Sequence, residues 1–353
     1  MTPPGGPAPH DEETVLSPAW LTAVLGARHP GAAVTGTEVT ERIETVATKV
    51  RFRVTYAGGA DGSGDPDGPP GALCAKGYFD PATRRRTSPS EADFYRLLAP
   101  RLPVCTPPCV HAAVDGETGH PLVVMEDLVE QGAVFGDPLA GYGPEQAAGT
   151  LDQLAALHAA TWESAGASLE SSFPPRIASL TRHMGPDQLQ SQLDDGRTAG
   201  VPAPVRRADR LTAAMAALAA MGTGHPRCLV HGDLHTGNVY VTADGAPGLI
   251  DWQVVQHGVW ALDVGYHLAA VLDPDERVRS ERGLLDHYLD RLAAHGGTPP
   301  DREAAWWAYR AHLPYGYFLW SITRAVDRPI VERHTARLGQ AVAWHDSFGL
   351  LGV

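Results

Sequence analysis

The sequence is short of positive charge. Against 41 Asp and Glu it sets only 28 Lys and Arg, a formal net charge of -13 at pH 7. A field of that sign repels phosphate backbones and anionic lipid, so nucleic-acid and membrane partners are disfavoured while cationic small molecules are not. Long hydrophobic runs are also missing: the greasiest helical stretch, Leu211 to Met221, falls far short of the roughly 20 residues a membrane span needs. MTPPGGPAPHDEE has neither basic residues nor an apolar core, so residues 1–14 read as a loose leader and not as a secretory signal. A soluble cytoplasmic protein is the expectation. Only four cysteines occur, Cys74, Cys105, Cys109 and Cys228, and no C-x-x-C pair, which points to free reduced thiols. No G-x-x-x-x-G-K-[ST] occurs, which excludes a P-loop nucleotide site.

What is there is globular. Hydrophobic residues make up 43% and charged residues 20%, and 353 residues suffice for two domains or one large bilobal one. The first third reads as strands. Val34 to Glu41 and Val50 to Tyr56 alternate apolar and polar residues, with Val50, Phe52, Val54 and Tyr56 on one face. Ala57 to Gly71, with six Gly, three Pro and three Asp, cannot pack and reads as a long loop before a third strand ending at Lys76. Ser88-Pro89-Ser90-Glu91 has the Ser cap, the Pro at the first helical position and the Glu three residues on that start a helix. Strands at Val110 to Val114 and Leu122 to Glu126 complete a small antiparallel sheet over residues 15–125.

After a connector at 126–128 the pattern turns helical over 129–353. Leu151, Leu154, Leu157 and His158 form one stripe of a helix from Gln146 to Trp162, His158 reading as a bonded core residue. Further helices are expected from Val205 to Met221, Glu276 to His295 and Asp301 to Val326, the last bent at Pro314. Short strands at Leu229 to Val230, Val239 to Val241 and Gly248 to Ile250 interrupt them. The fold class is therefore α+β, with no internal repeat.

The polar groups concentrate in CLVHGDLHTGNVYVTADGAPGLIDWQ, Cys228 to Gln253. A loop Asp such as Asp233 can take the proton of an attacking hydroxyl, while an Asn and a second Asp, here Asn238 and Asp251, can hold Mg²⁺ on nucleotide phosphates. Separately, each has a plainer use, since Asp caps turns and ends strands. His235 and Gln253 either face a substrate or brace the loop. His231-x-Asp233-x-His235 also reads as a zinc cluster of a hydrolase, if the segment were extended.

His231 to Asn238 with Ile250 to Gln253 resembles the catalytic core of the aminoglycoside phosphotransferase and choline kinase superfamily, most of all its ecdysteroid-kinase-like branch. Lys76, Glu91 in EADFY, Val124 to Leu128, Leu154 to Ala159 and Asp263 to Tyr266 agree in order, so the likeness runs from about residue 34 to 345. The resemblance implies a bilobal, protein-kinase-like fold and direct transfer of the γ-phosphoryl group of ATP, with Mg²⁺, to the hydroxyl of a small metabolite or antibiotic-like acceptor. It implies Asp233 as catalytic base, Asn238 and Asp251 as Mg²⁺ ligands, Lys76 on the phosphates with Glu91 as its partner, and Glu126 to Leu128 as a hinge facing adenine. His231 and Asp263 become supports of the catalytic loop, and Tyr315 or Trp320 on the C-terminal helices becomes a face for the acceptor. The loop Arg42 to Lys49 departs from the pattern: it has no glycine, leaving the Thr45 and Thr48 hydroxyls to stand in at the phosphates. A catalytically silent nucleotide-binding protein of the same fold is the alternative that this departure supports. A kinase of polypeptides is disfavoured, because only eleven residues separate Asp251 from Asp263.

Overall fold

Val50, Phe52, Val54 and Tyr56 are all buried while the residues between them are not, and this alternation makes one side of a sheet. The computed structural model describes residues 3–58, 68–83, 88–163, 167–182, 184–221 and 225–353, and the chain divides into two units. The first is Met1–Arg101 with Thr106–Val134; the second is Leu102–Cys105 with Phe135–Val353. The division thus falls after Val134, beyond the connector expected at 126–128. Most of the loop expected over Ala57 to Gly71, residues 59–67, lies outside the described residues.

In the first unit, β1 (Val34–Glu44), β2 (Thr48–Tyr56), β3 (Ala72–Gly77), β4 (Cys109–Val114) and β5 (Pro121–Glu126) form one antiparallel sheet in the order β1-β2-β3-β5-β4. β1 and β2 run further than their alternation suggests, so the glycine-free loop shrinks to Thr45, Val46 and Ala47. Helices α1 (Glu12–Val15) and α2 (Pro18–Leu25) precede the sheet, and Trp20, Leu21, Val24 and Leu25 join its core. The segment read as a loose leader is held: Trp20 Nε1 donates to Gly6 O at 3.0 Å, His111 Nε2 to Pro7 O at 2.7 Å and His120 Nδ1 to Ala8 O at 3.2 Å. Three distant rings satisfy carbonyls that no local pattern could. Helix α3 (Ser90–Asp93) continues into a wide turn, Phe94–Leu98.

The second unit opens near the two-residue strand β6 (Val134–Phe135) and is mostly helical: α4 (Pro144–Ala160), α5 (Ala167–Ser172), α6 (Ile177–Arg182), α7 (Pro186–Leu193) and α8 (Ala208–Met221) precede two strand pairs. β7 (Arg227–Val230) pairs with β10 (Gln256–Val259), and β8 (Val239–Val241) with β9 (Pro247–Leu249), both antiparallel. There follow α9 (Ala261–Val271), α10 (Pro274–Ala294), α11 (Arg302–Ile322), α12 (Arg328–Trp344) and α13 (Ser347–Leu350). α11 passes through Pro314 and stops at Ile322, short of Val326. Every residue of α9 is buried, against α4, α10, α11 and α12.

Two imidazoles in this core make stability depend on pH. His267 and His312 are buried, and burial lowers the pKa of each to about 4. A histidine whose folded pKa lies below its unfolded value contributes stability that is complete above about pH 6.5 and lost as pH falls toward 4. Each contributes at most about 3 kcal/mol at 1.36 kcal/mol per unit. Urea midpoints should therefore fall steadily from pH 7 to pH 4.5, and His312→Gln should flatten that slope.

Candidate active site

β7 delivers the chain into His231-Gly232-Asp233. Gly232 has φ 82°, and a Cβ there would lie 2.7 Å from Val254 O, so the turn requires glycine. Asp263, in the first turn of α9, accepts from His231 N at 2.7 Å and Gly232 N at 2.8 Å, and from His158 Nε2 at 3.1 Å. His158 Nδ1 in turn accepts from Tyr288 OH at 2.8 Å. Asp263, His158 and His231 are all fully buried, so one carboxylate fixes the loop from beneath with charge-assisted bonds. His231 Nδ1 accepts from Asp233 N at 3.2 Å and its Nε2 donates to Ile250 O at 2.9 Å. With both ring nitrogens committed, His231 has none left for a metal. The zinc reading of His231-x-Asp233-x-His235 therefore fails, and among the described residues no group of three His, Cys, Asp or Glu is placed to hold a metal ion.

Asp233 is half-buried, and its Oδ1 accepts from Tyr266 OH at 2.9 Å. The same hydroxyl accepts from Trp320 Nε1 at 2.7 Å. Asn238 Nδ2 donates to Asp233 O at 2.7 Å, and Asn238 O accepts from Ile250 N at 3.0 Å. The amide nitrogen being committed, Oδ1 is the Asn238 atom suited to ligation. Asp251 sits in left-handed backbone, φ 66° and ψ 64°, a conformation costing a non-glycine residue about 1–3 kcal/mol and concentrated at functional sites. Burial first, and the charge of Asp251 second, push the Asp233 pKa up to about 6 against the opposing Tyr266 bond. An amide oxygen and a carboxylate beside a second carboxyl are a donor set that fits Mg²⁺.

The structure also places residues expected to meet an acceptor. Tyr315 is fully buried and donates to Gly232 O at 2.7 Å while accepting from Gln256 Nε2 at 3.1 Å, so it braces the loop and offers no face for stacking. Trp320 is buried too, its ring stacked on His334 with centroids 4.2 Å apart and its N–H spent on Tyr266. His235 caps the turn Thr236–Asn238, its Nδ1 accepting from Gly237 N at 3.1 Å, and its ring packs 5.2 Å from Trp320. Gln253 is half-buried and its carbonyl accepts from Arg176. Tyr266 is the residue that sequence reasoning missed. Its signal was its place three residues after Asp263, on the same helical face. Replacing Tyr266 by Phe frees Asp233 Oδ1 and leaves the buried Trp320 N–H without its acceptor, so stability should fall by about 1–3 kcal/mol. Urea unfolding checks this.

In the first unit, Lys76 Nζ lies 2.6 Å from Glu91 Oε2, both side chains nearly buried. Lys76 stands on β3 opposite Lys49 and Val123, and Glu91 on α3 reaches it instead of closing a capping box; the helix is opened by Asp93 N donating to Pro89 O. Thr45 Oγ1 donates its one proton to Ala47 O at 2.8 Å, and Thr48 is buried at the start of β2, so neither hydroxyl is presented as a phosphate donor. Glu126 N donates to Pro108 O, and Leu128 O accepts from Ala133 N. Between them Asp127 takes Arg51 Nε at 2.9 Å, an ion pair across 76 positions that the sequence did not announce.

Residues 67–307 match the model of a family described as the phosphotransferase enzyme family. Among solved structures the chain is similar to the choline kinase LicA from Streptococcus pneumoniae, at 15% identity and TM-score 0.50 over 92% of this chain and 96% of that one. It is similar to an ethanolamine kinase from Plasmodium vivax, at 12% identity and TM-score 0.53 over 88% and 83%. A putative aminoglycoside phosphotransferase from Ralstonia eutropha gives 14% and 0.51 over 94% and 97%. These likenesses share the fold, an antiparallel-sheet N-terminal part and a helical C-terminal part. No curated protein matches the chain in sequence.

Proposed function

As the chain belongs to the phosphotransferase enzyme family, we propose that it transfers the γ-phosphoryl group of ATP to a hydroxyl of a small molecule, with Asp233 as the base. The surroundings of Asp233 carry this reading: one oxygen is fixed by Tyr266, and the carboxyl pKa is raised to about 6. Such a group can accept a hydroxyl proton near neutral pH and, fixed in place, orient the oxygen for in-line attack. Asn238 through Oδ1 and Asp251 through its carboxylate would hold Mg²⁺, which when bound neutralises charge on the phosphates. Lys76, ion-paired with Glu91, would bind nucleotide phosphate. No covalent enzyme intermediate is required, and Asp263 with His231 keeps the loop still.

For the acceptor we favour a cationic amino alcohol or aminated sugar. The relatives of like fold include proteins named for choline, ethanolamine and aminoglycosides, and the net charge of -13 draws cations. A neutral sterol- or polyketide-type alcohol, which the ecdysteroid-kinase-like resemblance brings in, is the competing class. ADP release with Mg²⁺ and ATP over choline-like amines, aminoglycosides, macrolides, sterols, sugars and nucleosides tests the proposal. One amine class should raise ADP release well above the acceptor-free rate. ATP binding with no turnover on any class would instead favour a silent nucleotide-binding protein.

A further inference from the structure

Behind the strand pair that leads into the catalytic loop, the second unit holds a cavity of about 170 Å³. Its walls are mostly apolar, with Ile177 and Leu218 from helices, Val259 from β10 and Leu262 from α9, and exposed Glu170 stands at its rim. The β7–β10 register sets Arg227 opposite Val259 and His257 opposite Leu229, so both polar residues share one sheet face. His257 is 1% exposed, yet among the described residues neither ring nitrogen has a hydrogen-bond partner. The Glu170 carboxylate is 3.9 Å from its Nδ1, outside hydrogen-bond reach. Arg227 Nε is also buried without a partner among the described residues, although the terminal nitrogens face Glu170 at 3.4 Å. An apolar chamber with one orphaned imidazole and one orphaned N–H has the makeup of a ligand site.

We propose that this cavity binds a compact single-ring alcohol or phenol, its ring against Ile177, Leu218, Val259 and Leu262 and its hydroxyl on His257 and Arg227. Burial and the neighbouring Arg227 charge lower the His257 pKa, which keeps the ring neutral, with one donor and one acceptor. A hydroxyl also donates once and accepts, so it can give its proton to the imidazole and receive the Arg227 N–H. The size agrees, since an apolar cavity of about 150 Å³ takes up benzene. The site differs from the surroundings of Asp233, but Gln256 lines it, and two hydrogen bonds, Gln256 Nε2 to Tyr315 OH and Tyr315 OH to Gly232 O, lead from it to the loop.

The test uses the full chain with histidine-labelled rings, followed by NMR during titration with phenol and, separately, toluene, which has the ring without the hydroxyl. Phenol should shift the His257 resonances saturably and bind at least tenfold more tightly than toluene. His257→Phe should abolish that preference, and Leu218→Trp, which fills the chamber, should weaken phenol at least tenfold. Equal affinity for phenol and toluene, or no saturable shift at His257 as expected of a chamber held by water alone, would overturn the proposal. The comparison of the two probes on the unsubstituted protein decides even where Leu218→Trp does not fold.

Discussion

Asp233→Asn should lower the rate of phosphoryl transfer about 10³-fold while leaving ATP affinity nearly unchanged, because general-base catalysis contributes roughly 10² to 10⁴. The substitution keeps shape, and the Asn side-chain oxygen can still accept from Tyr266 OH, so the loop should hold its geometry. What disappears is the carboxylate proposed to receive the proton. Steady-state kinetics with the acceptor found in the panel, beside ATP titration by calorimetry, separates the two effects. An Asn variant retaining more than a tenth of the rate would move the base elsewhere.

Asp263→Ala should be the most damaging single change to stability in the second unit. It strips acceptors from His231 N, Gly232 N and His158 Nε2 at fully buried positions. Each buried donor left unpaired costs about 1–3 kcal/mol, so for three of them a loss of at least about 3 kcal/mol is expected, a large part of the stability of an ordinary domain. Asp263→Asn retains one oxygen acceptor and should cost less. Thermal unfolding of both variants checks the order. Equal, small shifts would mean that the loop is held by Tyr315 and His231 alone.

The sequence was most legible where the signal is local. The β2 alternation, the leucine stripe of α4 and the spacing His231, Asp233, Asn238, Asp251 each lie within one short window, and the structure brings Asp233 and Asn238 into direct contact. α9 was not legible because it is buried all round and so has no apolar stripe to read. β10 carries Gln-His-Gly-Val, of little strand propensity, and is held by pairing with β7. The hold on residues 7 and 8 is not legible locally because their carbonyls are answered by His111 and His120, about a hundred residues away. Aromatic type alone does not reveal that the polar atoms of Tyr315 and Trp320 are spent on Gly232 O and Tyr266 OH. Arg51 with Asp127, across 76 positions, belongs to the same class of long-range pairing.

Direct transfer from ATP to the acceptor at Asp233 is what we propose, and a single-turnover reaction with ATP labelled in the γ-phosphate tests it most directly. The label should appear in the acceptor as its O-phosphate, one for each ADP formed, with none on the protein at any time, and Asp233→Asn should stop it. Label trapped on the protein, or released only as inorganic phosphate in the presence of every acceptor class, would contradict it.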